Sequence, residues 1–417
     1  MEIKQDNLNI ICDHNHDPNN ASRITNTNTN TNIHSPQINQ EIKHLVISGG
    51  GPSFIQSIGV IQEAEKQGLF NIKNIQTIFA SSAGAIVALC ICLYRDAEYS
   101  WETINNYMIN RQWQDVFAIN MQTILESYTR CGLFHTETLQ KCFQSFFEAR
   151  NISLNITLKD FYDSVSKIEL HFLAFELNSF QLEDISWKTH PNITLFQALH
   201  MTCSLPIMFS PVIIDIDTPI SVTTSVTTSA PTSAPLTSTP LTSTPLTSTP
   251  LTSTPLTSTP LTSTPLTSTP LTSTPLTPLT STPLTPSSIP TTTKSKCYLD
   301  GGIISNYPIK YCIQLIGEQN AHTILGIKNV FNDISNRPHI TKTTSIFEYL
   351  MTFTLKFVGY IQVTDNINIP NEIPCFMDFM SIDSIKSAIS ESETRRELIE
   401  KGRQKIREYM TLKNKLS

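Results

Sequence analysis

No secretory signal opens this 417-residue chain, because Met1 to Asn20 holds no apolar core region. Its nine cysteines are scattered and odd in number and include no C-x-x-C pair, so they read as free thiols in a reducing interior. The longest apolar run, Ala83 to Tyr94, falls short of the roughly 20 residues that a bilayer-crossing helix needs. Positive charge is not in excess either: 29 Lys+Arg face 35 Asp+Glu, a net charge of −6 that gives no reason to expect bulk nucleic-acid binding. There is no G-K-[ST] of a P-loop, and Phe54 stands where a G-x-G-x-x-G fingerprint needs its last glycine. These absences predict an intracellular, cytoplasmic chain with no nucleic-acid partner, peripheral membrane attachment being left open.

Two stretches lack the composition of a folded core. Met1 to Gln40 is rich in Asn and Thr, with the run NTNTNTN at Asn26–Asn32, and is expected to stay disordered. Within it Cys12, His14 and His16, beside Asp13 and Asp17, are metal-ligand types, but the flanks offer no fold to hold an ion. Thr218 to Thr293 contains no charged, aromatic or glycine residue, and Leu236–Pro275 is eight copies of LTSTP. A proline in every copy suits neither helix nor sheet, so a solvated, extended tract is expected. It lies between two strand-like runs, Val212–Ile216 and Cys297–Leu299. Closing a longer loop costs only about 0.6 kcal/mol per doubling, so the tract reads as an expanded hairpin loop inside one domain spanning 41–417. The remaining residues, roughly 300, suffice for a large core.

The foldable part opens with a strand, His44–Ile47, running into Gly49-Gly50-Gly51, then a helical pattern carrying Ile55, Ile58 and Ile61. A second strand, Ile75–Phe79, runs into Ser81-Ser82-Ala83-Gly84 and the apolar helix through Leu93. Helical segments fill Tyr99–Arg150, and strand character returns at Ile168–Leu177. Strand, glycine turn, helix, strand, tight turn, helix is the grammar of a parallel α/β sheet, whose sites gather at the carboxyl ends of its strands.

Both turns carry chemistry. Ser82 sits in Ala80-Ser81-Ser82-Ala83-Gly84, which approximates the G-x-S-x-G elbow with Ala80 in the first glycine position. The same serine also fits a helix N-cap, and Ser81 is a second candidate nucleophile. Three successive glycines present backbone N–H groups near a helix N-terminus, a ready anion site. Beside Ser82 they could stabilise a tetrahedral oxyanion. Further on, Asp300-Gly301-Gly302 places a carboxylate at a strand end with open space around it. This suits a base facing the serine as well as a plain Asp-Gly-Gly turn.

Four blocks in this order resemble the patatin-like phospholipase family: Ser48–Ile61 (SGGGPSFIQSIGVI), Phe79–Ala85 (FASSAGA), Ala198–Val212 (ALHMTCSLPIMFSPV) and Tyr298–Pro308 (YLDGGIISNYP). The similarity covers about 44–217 and 294–310. The resemblance implies a three-layer α/β/α sandwich with a mainly parallel sheet, and lipid acyl hydrolysis by a Ser–Asp dyad. Ser82 would be the nucleophile and Asp300 the general base, with the amides of Gly49, Gly50 and Gly51 forming the oxyanion hole. No metal or other cofactor is implied, and the partner is a lipid substrate at a membrane or micelle surface. The chain departs from the family pattern at Ser53, where a Lys or Arg is usual, and at Phe54, where a Gly is usual. These departures predict weakened or redirected activity.

Two other readings stay open: a non-catalytic lipid-binding module on the same fold, and a general serine esterase in which His322 or His339 completes a Ser-Asp-His triad. At the C-terminus, Arg395–Ser417 is a basic amphipathic pattern with Leu398, Ile399, Ile406, Tyr409, Met410 and Leu416 near one face. Docking onto the domain is the expectation, with a seat on an anionic membrane as the alternative.

Overall fold

The computed structural model describes residues 41–95, 100–216, 294–331, 340–361, 367–377 and 381–416. The expected disordered tail with Cys12, His14 and His16, the repeat tract, and His339 lie outside the described residues.

The described strands are β1 (His44–Ile47), β2 (Thr77–Ser81), β3 (Gly132–Phe134), β4 (Glu169–Glu176), β5 (Gln181–Ile185), β6 (Ile207–Phe209), β7 (Val212–Ile216), β8 (Lys294–Asp300), β9 (Ile324–Phe331) and β10 (Glu372–Met377). Eight form one sheet in the order β10-β9-β1-β2-β4-β8-β7, with β5 also paired to β4, while β3 and β6 form a separate parallel ribbon. From β10 to β4 every pairing is parallel. Strands buried on both faces read as near-continuous apolar runs, as HLVI of β1 does.

Side-chain alternation divides the core into two layers. Leu45, Ile47, Ile78, Ala80 and Phe172 face one helical layer, which includes α1 (Phe54–Lys66) and α2 (Gly84–Arg95). Val46 and Phe79 face the opposite way, onto Tyr307 and onto Ile309 and Ile313 of the helix Ile309–Ile316. Helices on both faces of a mainly parallel sheet make the expected α/β/α sandwich. β2 begins two residues later than its apolar pattern suggests, because Ile75 packs into the core just before the strand starts.

β7 and β8 pair antiparallel, Ile216 opposite Lys294 and Val212 opposite Tyr298. The residues flanking the repeat tract are therefore hairpin partners. β8 is longer than its apolar core Cys297–Leu299, since the ladder carries the polar Lys294–Lys296 into the pairing.

The C-terminal basic pattern forms the helix Ser392–Leu416 and docks on α1, with Ile399 and Ile406 buried. The two backbones cross at close range: a Cβ on Gly59 would strike the Ile399 carbonyl, and one on Gly402 the Gln56 carbonyl. Arg395 is 3% exposed, and its guanidinium donates to the carbonyls of Ile109, Arg111, Ala388 and Ile389. It thereby caps the C-terminal ends of the helices Trp101–Asn110 and Ile382–Ser390, where a cation is favoured. Gly402→Val should push the helix off α1 and cost about 1–3 kcal/mol. Urea denaturation measures this, and an unchanged midpoint would contradict the close crossing.

Candidate active site

β4 sets the position of everything in the site. β5 occupies one of its edges along Phe172–Glu176, so β2 and β8 share the other. β2 runs parallel to β4 and ends with Ser81 opposite Leu173. β8 arrives antiparallel and ends with Asp300 opposite the next residue, Ala174. The two strand ends thus meet head to head. Gly301 follows where a side chain would collide with the Leu173 carbonyl, so only glycine lets the chain turn this close to β4.

Ser82 follows Ser81 at φ 54, a left-handed conformation that a non-glycine residue adopts at a cost of order 1–3 kcal/mol. The turn is held from below: the Ser82 N–H donates to Thr202 Oγ1 at 2.9 Å, and that hydroxyl donates to the Leu173 carbonyl at 2.6 Å. Thr202 lies on the helix Leu195–Cys203, inside the third sequence block. The Ser82 hydroxyl donates to Asp300 Oδ2 at 2.6 Å. The other carboxylate oxygen accepts the Gly302 N–H at 2.7 Å. Ser81 points elsewhere, its hydroxyl spent on the Ser305 carbonyl at 2.7 Å, which separates the two serine candidates.

The glycine turn packs against this pair. Gly49 lies so close to Ser82 that an added Cβ would sit 2.8 Å from the serine Cβ. Its N–H donates to the Asn306 carbonyl at 3.0 Å, and its carbonyl accepts from Asn329 Nδ2 at 2.7 Å and Asn306 Nδ2 at 3.3 Å. Gly49 is therefore a fixed anchor whose amide is already committed. Gly50 and Gly51 line the same cavity as Ser82, with Gly51 at φ 55 opening the short helical turn Gly51–Ser53. Of the three glycines, these two line the cavity and Gly49 does not. Ser53 donates its hydroxyl to the Gly50 carbonyl at 2.8 Å, bracing the turn from within. Phe54 has φ −54, ordinary helical backbone, so the side chain in the usual glycine position brings no strain and lines the cavity instead.

The cavity over Ser82 measures about 510 Å³ and is walled mainly by apolar side chains, among them Phe54, Trp113, Phe143, Met208, Phe209 and Leu355. Among the described residues no histidine lines it. His322 lies in the turn before β9, at the amino end of a strand parallel to β1 and β2, whereas Ser82 lies at the carboxyl end. The structure does not bring His322 to the site. Asn306 and Asn329 do reach it. Asn306 stands inside the fourth block, whereas Asn329 falls beyond the last motif, and its only signal was a polar residue late in the apolar strand β9.

Burial raises the Asp300 carboxyl to about 7, against the Ser82 and Gly302 hydrogen bonds, which lower it. An unfolded chain releases that proton near its ordinary value of about 3.9. Between these pH values the folded state holds the extra proton, so its stability falls as pH rises and then levels off above about 7. Asp300→Asn carries no charge and should gain on wild type across this window. Urea midpoints should show a wider gap in its favour near about pH 8 than near about pH 4. A gap that does not change with pH would contradict the buried, uncompensated carboxylate.

The family model described as patatin-like phospholipase matches residues 45–223. A protein of Invertebrate iridescent virus 6 named "Probable lipid hydrolase" is 25% identical over 172 residues, 41% of this chain and 56% of that protein. A triacylglycerol lipase of Schizosaccharomyces pombe is 28% identical over 179 residues, 40% of this chain and 33% of that protein. The chain thus spans between a third and about three-fifths of the length of such relatives. Among solved structures, VipD from Legionella pneumophila has a TM-score of 0.34 at 13% identity, covering 86% of this chain and 67% of that one. Residues 45–223, which contain the glycine turn and the serine elbow, match the patatin-like phospholipase family.

Proposed function

We propose that this protein is a serine acyl hydrolase that cleaves ester bonds of phospholipids or related lipids within one domain, 41–417, interrupted by the insert 218–293. The observation that carries the reading is the 2.6 Å hydrogen bond from the Ser82 hydroxyl to Asp300 at the floor of an apolar cavity. The relatives' names and the family match support the reaction class.

In the reading, Asp300 takes the Ser82 proton as the hydroxyl oxygen attacks the ester carbonyl carbon. The resulting oxyanion is met by the amides of Gly50 and Gly51, with Gly49 anchoring their turn. Collapse breaks the ester C–O bond, and Asp300 returns the proton to the departing alcohol. Asp300 then takes a proton from water, whose oxygen attacks the acyl-enzyme; collapse breaks the acyl–serine C–O bond, frees the acid, and Asp300 returns the proton to the Ser82 oxygen. A carboxylate of ordinary acidity is a feeble base for this task. Burial brings Asp300 to about 7, so accepting the proton costs less. Apolar walls suit an acyl chain and keep bulk water from the charge pair.

A fluorophosphonate probe should label the wild type and the Ser81→Ala variant but not Ser82→Ala. Turnover of a lipid ester should fall on the order of a thousandfold or more in Ser82→Ala and Asp300→Asn. An unlabelled wild type would favour the non-catalytic lipid-binding module instead.

Because Asp300 must be ionised to act, kcat/KM should rise with pH through about 7 and then level. His322→Ala should leave this profile in place. Loss of turnover in His322→Ala would revive the triad.

A further inference from the structure

Most of the large apolar side chains exposed among the described residues fall in two segments, 119–128 and 340–357. The second belongs mainly to the helix Ile346–Ile361, which has two apolar faces. The inward face includes buried Met351, with Leu355 and Val358 lining the wall of the Ser82 cavity. The outward face repeats at helical spacing: Ile346, Tyr349, Leu350, Phe353 and Phe357 are 41–71% exposed. Phe353 and Phe357 stack at 5.7 Å. An isolated exposed apolar residue needs no explanation, but a continuous stripe does.

The first segment reaches the same cavity through its neighbours. The helix Met121–Arg130 has no buried residue, and it exposes Met121, Leu125 and Tyr128. It follows Phe117, which lines the cavity, and leads into β3, whose partner β6 supplies Met208 and Phe209 to the cavity wall.

We propose that the outward face of the helix Ile346–Ile361 is the surface by which this protein seats on a lipid layer. The inference rests on the lipid-ester reading, which it deepens by naming the form in which substrate is met. Two features favour a lipid layer over another protein. The stripe and the cavity wall are opposite faces of one helix, so whatever covers the stripe lies beside the site, and the molecule admitted there is a lipid ester. An ordinary protein interface also carries about one hydrogen bond per 100–200 Å², and the stripe offers few groups to make them.

Its polar groups are those of an interfacial helix. Lys356 shares a shallow groove of about 300 Å³ with Tyr349, Phe353 and Phe357. A lysine with an apolar stem and a tyrosine hydroxyl suit the headgroup level while the rings enter the acyl region. The negative charge of Glu348 is tied to the Ser345 N–H and hydroxyl at 3.0 and 3.1 Å, with Lys386 acting on it as well.

The test is flotation of the full chain with phosphatidylcholine vesicles, with and without phosphatidylserine, comparing wild type, Ser82→Ala and the double variant Phe353→Asp, Phe357→Asp. The double variant should lose vesicle partition on the order of tenfold or more. Its hydrolysis of a soluble, monomeric short-chain ester should match wild type, which also reports an intact fold. Ser82→Ala should float like wild type, so the seat is read independently of the chemistry. Wild type that floats but hydrolyses nothing would sink the hydrolase reading and still support the seat. The proposal is overturned if wild type does not float, or if the double variant floats as well as wild type. It is equally overturned if the stripe holds a dimer that the double variant splits.

Discussion

A hydroxyl and a carboxyl 218 positions apart are held 2.6 Å from each other because two strands end against adjacent residues of a third. Leu173 and Ala174 of β4 fix where β2 and β8 stop, and the side chains that follow have little freedom left. The contact depends on the sheet that positions it more than on its own hydrogen bond, since a typical hydrogen bond contributes only about 0.5–1.5 kcal/mol in net stability. Thr202 ties the serine turn to the same strand through the Leu173 carbonyl.

The electrostatics follow from that placement. A carboxyl kept 3% exposed, with a serine hydroxyl and one amide as partners, has among the described residues no cation acting on its charge. The fold gives up stability at neutral pH to hold it there, a trade common at reactive sites. The glycine turn is treated differently. Its anchor carbonyl is shared by two asparagines and its interior is braced by Ser53, so the positive charge common at that position is replaced by neutral hydrogen bonds.

Much of this could be read from local pattern. β1 lies where its apolar run and following glycines put it, and the Ser82 corner and Asp300 were visible because sharp turns between strand and helix demand small residues. The ends of β2 and β8 were less legible, because pairing recruits residues such as Ser81 and Lys294 that have no apolar signal of their own. Asn329 was legible only as a polar residue late in β9. Its task is to donate to a carbonyl 280 positions earlier, and nothing in the spacing of β9 announces that partner. The commitment of the Gly49 amide to Asn306 was hidden for the same reason: three adjacent glycines look equivalent until the fold gives one of them a partner.

The hairpin of β7 and β8 has a consequence for how the molecule comes into being. Ser82 and the parallel strands β1, β2 and β4 leave the ribosome before the stretch 217–293 is made, and Asp300 only after it. For that interval Ser82 has no Asp300 to meet, and the edge of β4 that pairs with β8 awaits a strand still to be synthesised. Segments emerge at about 5–20 residues per second, so the delay lasts seconds. The meeting of Ser82 and Asp300 is thereby timed by the length of the sequence made between them.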